Sequence, residues 1–380
     1  MTAKQHHIVE LQSLRGVAAV AVMFGHAASY FATPDWFPEV AKIFNGRAAV
    51  VLFFVLSGFV LTKSLKGNEA LRLPSLVTFY VRRFARIYPA VWVVSSLSLA
   101  YLVFLHWRVP IPDTSAGFRT RFPIERMDAL HIVASYAAML AFLLPQLWSI
   151  FVEIVASLAV PFIGVAAMQK GRKLFWLFAA AALLASFTIG PRTYYLIGLY
   201  TVDFFIGAWL ATAGPGFAAF NARLRPHANL IFTALCVAIS LTQFLPTDYY
   251  NPVAALIEAA LACGMISILV YCRGEVRWLN SPFVLFIGDI SYSIYLVHYL
   301  VICLLGKAIG VFELEIGVQF AGIPKSLVLM AATAVVTIPL SALLYQWVEM
   351  PGMRFGKWAS ARLLEVRAGV RRPATSDLKA

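Results

Sequence analysis

Leu11–Phe31 reads LQSLRGVAAVAVMFGHAASYF. This is an apolar stretch about as long as the ~20 residues that cross a ~30 Å hydrocarbon layer as a helix, and it carries one arginine and one histidine. Arg15 and His26 are eleven residues apart, which on a helix is about 20° past three full turns, so they share one face. At 1.5 Å per residue they stand about 16 Å apart along the axis, Arg15 near one boundary and His26 within the membrane. Ionisable groups inside a span are rare and mark function by default. The alternative is an arginine that snorkels to headgroups and a histidine that only packs.

Working outward, the composition agrees with a membrane chain. Of 380 residues, 61% are hydrophobic and 13% charged, against about 25% charged in soluble domains. Ten apolar blocks recur, at 11–31, 47–65, 85–106, 148–168, 173–190, 194–212, 228–245, 253–272, 283–305 and 326–348. The expectation is an all-α polytopic transmembrane bundle of about ten helices. The net charge of +13 is explained by placement rather than by nucleic acid. With the N-terminus inside, only Lys42, Arg47, Arg108, Arg119, Arg121, Arg126, Arg192, Lys307 and Lys325 fall on outer segments, leaving 22 of 31 Lys and Arg inside. Both termini are therefore expected to be cytoplasmic.

One transmembrane domain is expected over residues 1–350, followed by a basic cytoplasmic tail, 351–380. The first stretch is longer than the 7–15-residue core of a signal peptide and reads as a retained helix. The longest loop, about 107–147, contains the apolar run Ala129–Leu144, read as an interfacial or re-entrant helix rather than an eleventh span. Cys236, Cys263, Cys272 and Cys303 lack metal-ligand spacing and read as free thiols; no metal is expected. The halves show no repeat of the kind common in transporters.

Four further segments carry polar residues at membrane depth. FFVLSGF, Phe53–Phe59, places Ser57 and Gly58 within the second helix, where glycine permits close backbone approach; Ser57 lacks the strained turn of an activated nucleophile. RRFARIYP, Arg82–Pro89, sets Arg82, Arg83 and Arg86 at the cytoplasmic mouth. Arg83 and Arg86 lie on one face, suiting a phosphate-rich ligand, or else serving as ordinary positive-inside charge. LWSIFVE, Leu147–Glu153, gives Trp148, Ser149 and an intramembrane Glu153. In ISYSIYLVH, Ile290–His298, the residues Ser291, Tyr295 and His298 form one polar stripe, with Asp289 and Tyr292 nearby. Such stripes also glue helices together. Glu349 is read as capping or docking the last helix end, with no chemistry assigned.

Taken together and in this order, the Arg15/His26 pair, FFVLSGF, the arginine pair before Pro89, WSIFVE and SYSIYLVH resemble the acyltransferase-three family of bacterial inner-membrane proteins over residues 10–351. The resemblance implies transfer of an acyl group, usually acetyl, from cytoplasmic acyl-coenzyme A to a sugar hydroxyl. Acetyl-CoA would be a co-substrate, with no cofactor tightly bound. His26 and Arg15 would be the family's required pair, and Arg83 and Arg86, beside Arg82, its second arginine motif, with coenzyme A phosphate as a physical hypothesis. Ser291, Tyr295 and His298 would line a central cavity. The implied home is the inner membrane, and self-association is left open. Some relatives carry a fused extracytoplasmic domain that takes the acyl group. The expectation here is an acceptor that reaches the membrane domain itself, or a separate protein that completes transfer. IVASLAVPF after Glu153 is less polar than the family often shows.

On this reading His26 is the general base, with Glu153 or His298 orienting the base or the sugar and Trp148 and Ser57 on the substrate's path. A covalent acyl-enzyme through Tyr295 or Ser57 is the mechanistic alternative. The rival from another class is a transporter or flippase for a saccharide or lipid-linked glycan.

Overall fold

Hydrocarbon offers a backbone no water to bond, so a spanning segment must close its own hydrogen bonds as helix. The computed structural model describes residues 8–106, 114–115, 118, 127–189 and 196–370, the side chains of 365–370 excepted. Lys4, Arg108, Arg119, Arg121, Arg126, Arg192 and the tail beyond 370 lie outside the described residues. Among the described residues there is no strand. The helices are α1 (Val9–Ala28), α2 (Trp36–Ala41), α3 (Gly46–Ser64), α4 (Leu73–Tyr101), α5 (Ala129–Tyr136), α6 (Leu147–Met168), α7 (Lys173–Thr188), α8 (Ile197–Ala211), α9 (Pro215–Arg223), α10 (Ala228–Leu241), α11 (Pro252–Tyr271), α12 (Pro282–Asp289), α13 (Ser291–Ile316), α14 (Gly322–Leu344) and α15 (Met350–Val370).

Each of the ten apolar blocks coincides with a helix. Among the described residues, seven continuous helical stretches are long and apolar enough to cross a membrane, or eight if α8 and α9, bent by 88°, form one span. α7 is shorter, at 16 residues. α1 has the length, at 20 residues, but Gln12, Arg15 and His26 dilute its apolar character. The ninth block divides differently from the sequence reading: α12 ends at Asp289, and a new helix starts at Ser291. The apolar run after Asp128 is helical only to Tyr136. Asp128 caps that helix by accepting from the His131 backbone N–H at 2.8 Å, a bond that holds its carboxyl below the usual carboxylate range. Ala138 then turns the chain at φ 55°, and Phe142, Leu143 and Leu144 plunge into the core.

Two reciprocal glycine contacts bring the central helices together. A methyl on Gly16 would stand 2.6 Å from the Gly288 nitrogen, and one on Gly288 2.6 Å from the Gln12 carbonyl oxygen. So α1 and α12 touch backbone to backbone, which sets the start of α13 beside Arg15. In the same way, a methyl on Gly58 would lie 2.8 Å from Phe204 Cα and one on Gly207 2.6 Å from the Phe59 nitrogen. With Gly58 facing α8, the preceding Ser57 is turned towards α6 and Glu153.

Two buried ion pairs lie apart from these contacts. Arg47, at the start of α3, is held at 2.8 Å by Glu258 of α11, with Asn45 and Thr242 bonded to the same carboxylate. Lys325 of α14 meets Glu313 of α13 at 3.0 Å and sits 4.6 Å over the Phe31 ring. At the other end, α15 packs along α4 through Gly352 and Gly356, and Arg82 donates to Ser360 at 3.0 Å.

The glycine contacts make a direct prediction. Gly207→Leu is expected to lower stability by about 1–3 kcal/mol through overpacking against α3, read as a fall in the thermal midpoint of detergent-solubilised protein. Gly216→Ala, with nothing within 4 Å of the added methyl, should leave it unchanged or raise it slightly.

Candidate active site

Most of the polar residues singled out in the sequence gather around one cleft in the bundle. Its wide end is a cavity of ≈ 620 Å³ between α1, the end of α3, α12 and the turn Tyr345–Glu349. Arg15, Arg86, Lys63 and Arg273 line it together with Asp289 and Glu349. From there it narrows to a neck of ≈ 30 Å³ walled by Arg15, Ser57, Ser149, Glu153, Ser291 and Tyr295, room for about one water. Arg15, Ser291 and Tyr292 border both. A third cavity, ≈ 530 Å³, opens on the other side of Arg86 and is lined by Lys66, Arg82 and Arg83.

Inside the neck, Glu153 accepts from the Arg83 guanidinium and from Ser57 Oγ at 3.2 Å. Arg83 Nε also donates to Ser157 Oγ at 2.9 Å, so α4 is fastened to two successive turns of α6. Arg15 stands within electrostatic reach of Arg86, Glu153, Arg83 and Glu349. Neither Arg15 nor Arg86 makes a hydrogen bond or ion pair among the described residues, although both border the wide cavity. Tyr295 Oη and Ser149 Oγ lie 2.6 Å apart across the neck.

Beyond Tyr295 is a pair of histidines. Its ring centre is 5.9 Å from that of His298, and His298 Nε2 is 3.0 Å from His26 Nδ1. His298 is fully buried; Tyr299 stands edge-on to His26 at 5.5 Å. The continuous α1 thus carries Arg15 at the wide end and His26 beyond the neck, as their shared face implied.

The structure joins His26 to His298, and Glu153 to Arg83 and Ser57, so of the two residues expected beside His26 it is His298 that bonds it. Arg83 lines the outer cavity but spends two donors on α6, while Arg86 faces both outer cavities. Trp148 lines neither the neck nor the wide cavity; it leans on Tyr200 with ring centres 5.7 Å apart. Glu349, assigned no chemistry from sequence, is buried, accepts from Ser293 and borders the wide cavity. Gln12 donates to Asp289 at the same rim. Among the described residues no cluster of His, Cys, Asp and Glu could hold a metal ion.

A helical membrane bundle thus carries guanidinium groups around a wide cavity, a narrow neck beside it and an imidazole pair past Tyr295. The sequence names the kind: residues 8–346 match the family described as an acyltransferase domain, and the chain belongs to that family. It is similar to Acyltransferase MdmB of Streptomyces mycarofaciens, 28% identical over 91% of this chain and 92% of that protein. It is also similar to Nodulation protein 10 of Rhizobium leguminosarum bv. viciae, 27% identical over 93% and 95%. A putative peptidoglycan O-acetyltransferase, YrhL of Bacillus subtilis, is 26% identical over 91% of this chain and 55% of its own length. No solved structure matches significantly. The protein is a multi-pass membrane O-acyltransferase.

The Arg83–Glu153 pair is structural support that can be tested separately from catalysis. Glu153→Ala leaves a half-buried guanidinium without its carboxylate and should cost about 3 kcal/mol, as should Arg83→Ala. The double variant, lacking both charges, should recover part of that loss in a thermal-melt cycle.

Proposed function

We propose that the protein transfers an acyl group, acetyl in the first instance, from acyl-coenzyme A to a saccharide hydroxyl, with His26 as general base. The single observation that carries this reading is the pair Arg15 and Arg86. They are two guanidinium groups on the wall of one cavity, without hydrogen bond or ion pair among the described residues, and that cavity adjoins the neck whose Tyr295 stands next to the histidine pair. A cation held at membrane depth favours an anion, and guanidinium forks suit phosphate. The phosphates of the donor rest on Arg86, with Arg82 and Lys66 across the outer cavity, and the thioester arm passes Arg15 towards the neck. Arg83 holds the wall by gripping Glu153.

The acceptor oxygen attacks the thioester carbonyl carbon while its proton passes to His26. Collapse of the tetrahedral intermediate breaks the C–S bond, and the proton moves on to the departing thiolate sulfur. Tyr295, Ser149 and Ser291 line the approach of the reacting groups. The positive-inside count supports an arginine mouth facing the cytoplasm, where acyl-coenzyme A is made; on this reading the acceptor arrives from the opposite face of the membrane. Relatives with peptidoglycan O-acetyltransferase in their names support acetyl as the acyl group and a glycan as the acceptor class.

Inside-out membrane vesicles carrying the host's own glycans, given labelled acetyl-coenzyme A, should acquire glycan-bound label; sealed right-side-out vesicles should not. Arg86→Ala should raise the KM for acetyl-coenzyme A about tenfold or more, the worth of a hydrogen bond to a charged group. His26→Ala should lower kcat about 100-fold or more. Full activity in His26→Ala, or label entering only from the outer face, would overturn the proposal.

A further inference from the structure

We infer that His298 is a positioning residue that fixes the tautomer of His26 and so aims its lone pair at the reacting hydroxyl. The inference rests on the reading of His26 as general base. The chain of hydrogen bonds has a direction set at one end. His298 Nδ1 lies 3.1 Å from the carbonyl oxygen of Ile294, one turn back along α13. A carbonyl only accepts, so Nδ1 carries the hydrogen.

His298 is fully buried, and around it stand the His26 imidazole and the phenol rings of Tyr295 and Tyr299. Among its described contacts there is no carboxylate to offset a charge, so the neutral ring is the form that fits. Neutral, with Nδ1 protonated, it offers a lone pair at Nε2. That nitrogen meets His26 Nδ1 at 3.0 Å, so His26 donates there. The lone pair of His26 is then on Nε2, at the other side of its ring.

Ring geometry supports a real bond rather than incidental stacking. The rings are parallel within 4° and their centres are 5.2 Å apart, close to the greatest separation that the N···N distance and the two ring radii allow. The bonded nitrogens therefore lie on the line of centres, and the imidazoles share one plane, edge to edge. In the other tautomer two lone pairs would face each other across 3.0 Å and the bond would be lost. When His26 takes the proton of the acceptor hydroxyl on Nε2, its Nδ1–H still has its acceptor, and the new positive charge meets the lone pair of His298. A backbone carbonyl of α13 thus plays, through one imidazole, the orienting part that a carboxylate plays in serine hydrolase triads.

The test compares His298→Phe with His298→Gln, whose amide oxygen can reach the place of Nε2. His298→Phe should lower kcat about 100-fold with the KM for acetyl-coenzyme A unchanged, and His298→Gln should stay within about tenfold of the parent. In the parent protein labelled with ¹⁵N-histidine, the His26 resonances, assigned by their loss in His26→Ala, should show an unprotonated Nε2; in His298→Phe they should show both tautomers. An equal fall in both variants, an active His298→Phe, or an unprotonated Nδ1 in the parent would overturn the inference. A fully active His26→Ala would instead remove the base reading on which it rests.

Discussion

A positive side chain in hydrocarbon costs about 3 kcal/mol or more unless something answers it, and this requirement arranges the bundle. Three cations are answered by carboxylates: Arg47 by Glu258, Arg83 by Glu153 and Lys325 by Glu313. Each pair ties together helices distant in sequence, α3 to α11 and α4 to α6, or fixes a turn, as between α13 and α14. Arg15 and Arg86 are treated differently. They share the field of Glu153 and Glu349, yet both open onto a cavity instead of closing on a carboxylate. The bundle neutralises its structural cations closely and leaves two others facing a cavity; on the proposed reading the phosphates of the acyl donor supply the missing charge there.

The sequence made the local half of this arrangement legible. Helical spacing is enough to align Arg15 with His26, and Ser291 with Tyr295 and His298, because one continuous helix carries each set. The apolar blocks were legible for the same reason. Legibility ended where partners are distant. Arg83 and Glu153 are 70 residues apart and His26 and His298 272 apart, and no periodicity connects them. The break between α12 and α13 falls at Gly288 and Asp289, within the apolar block read as one span over 283–305, and there Gly288 packs against the backbone of α1, a tertiary contact no spacing reveals. Glu349, beside Trp347 and Pro351, looked like a helix end, yet the chain continues as α15 and Glu349 is buried against Ser293.

The same division explains which roles changed hands. Residue type alone made Arg83 and Arg86 equivalent, three apart on one face of α4. Packing separates them: Arg83 faces α6, where Glu153 and Ser157 take up its donors, while Arg86 faces the seam between two cavities. Glu153, once held by Arg83 and Ser57, is not free to orient His26. His26 is bonded instead from α13, whose polar stripe has two parts along its length, walling the neck at Ser291 and Tyr295 and meeting His26 at His298; on the proposed reading the latter orients the base.

The neck constrains how the two halves of the passage communicate. At ≈ 30 Å³ it admits about one water, so on the proposed reading a thioester arm reaches His26 only when the wall residues move. The hydroxyls of Tyr295 and Ser149, bonded to each other across it, are held by neutral hydrogen bonds, Ser149 Oγ also donating to the Gln146 carbonyl. The Arg83–Glu153 pair on the same wall is much harder to part, because separation would strand two charges in a low-dielectric interior. Opening therefore falls to the tyrosine side, on the helix that also carries His298. On the proposed reading, passage through the neck at Tyr295 and the setting of the histidine pair at His298 are coupled through a single turn of α13.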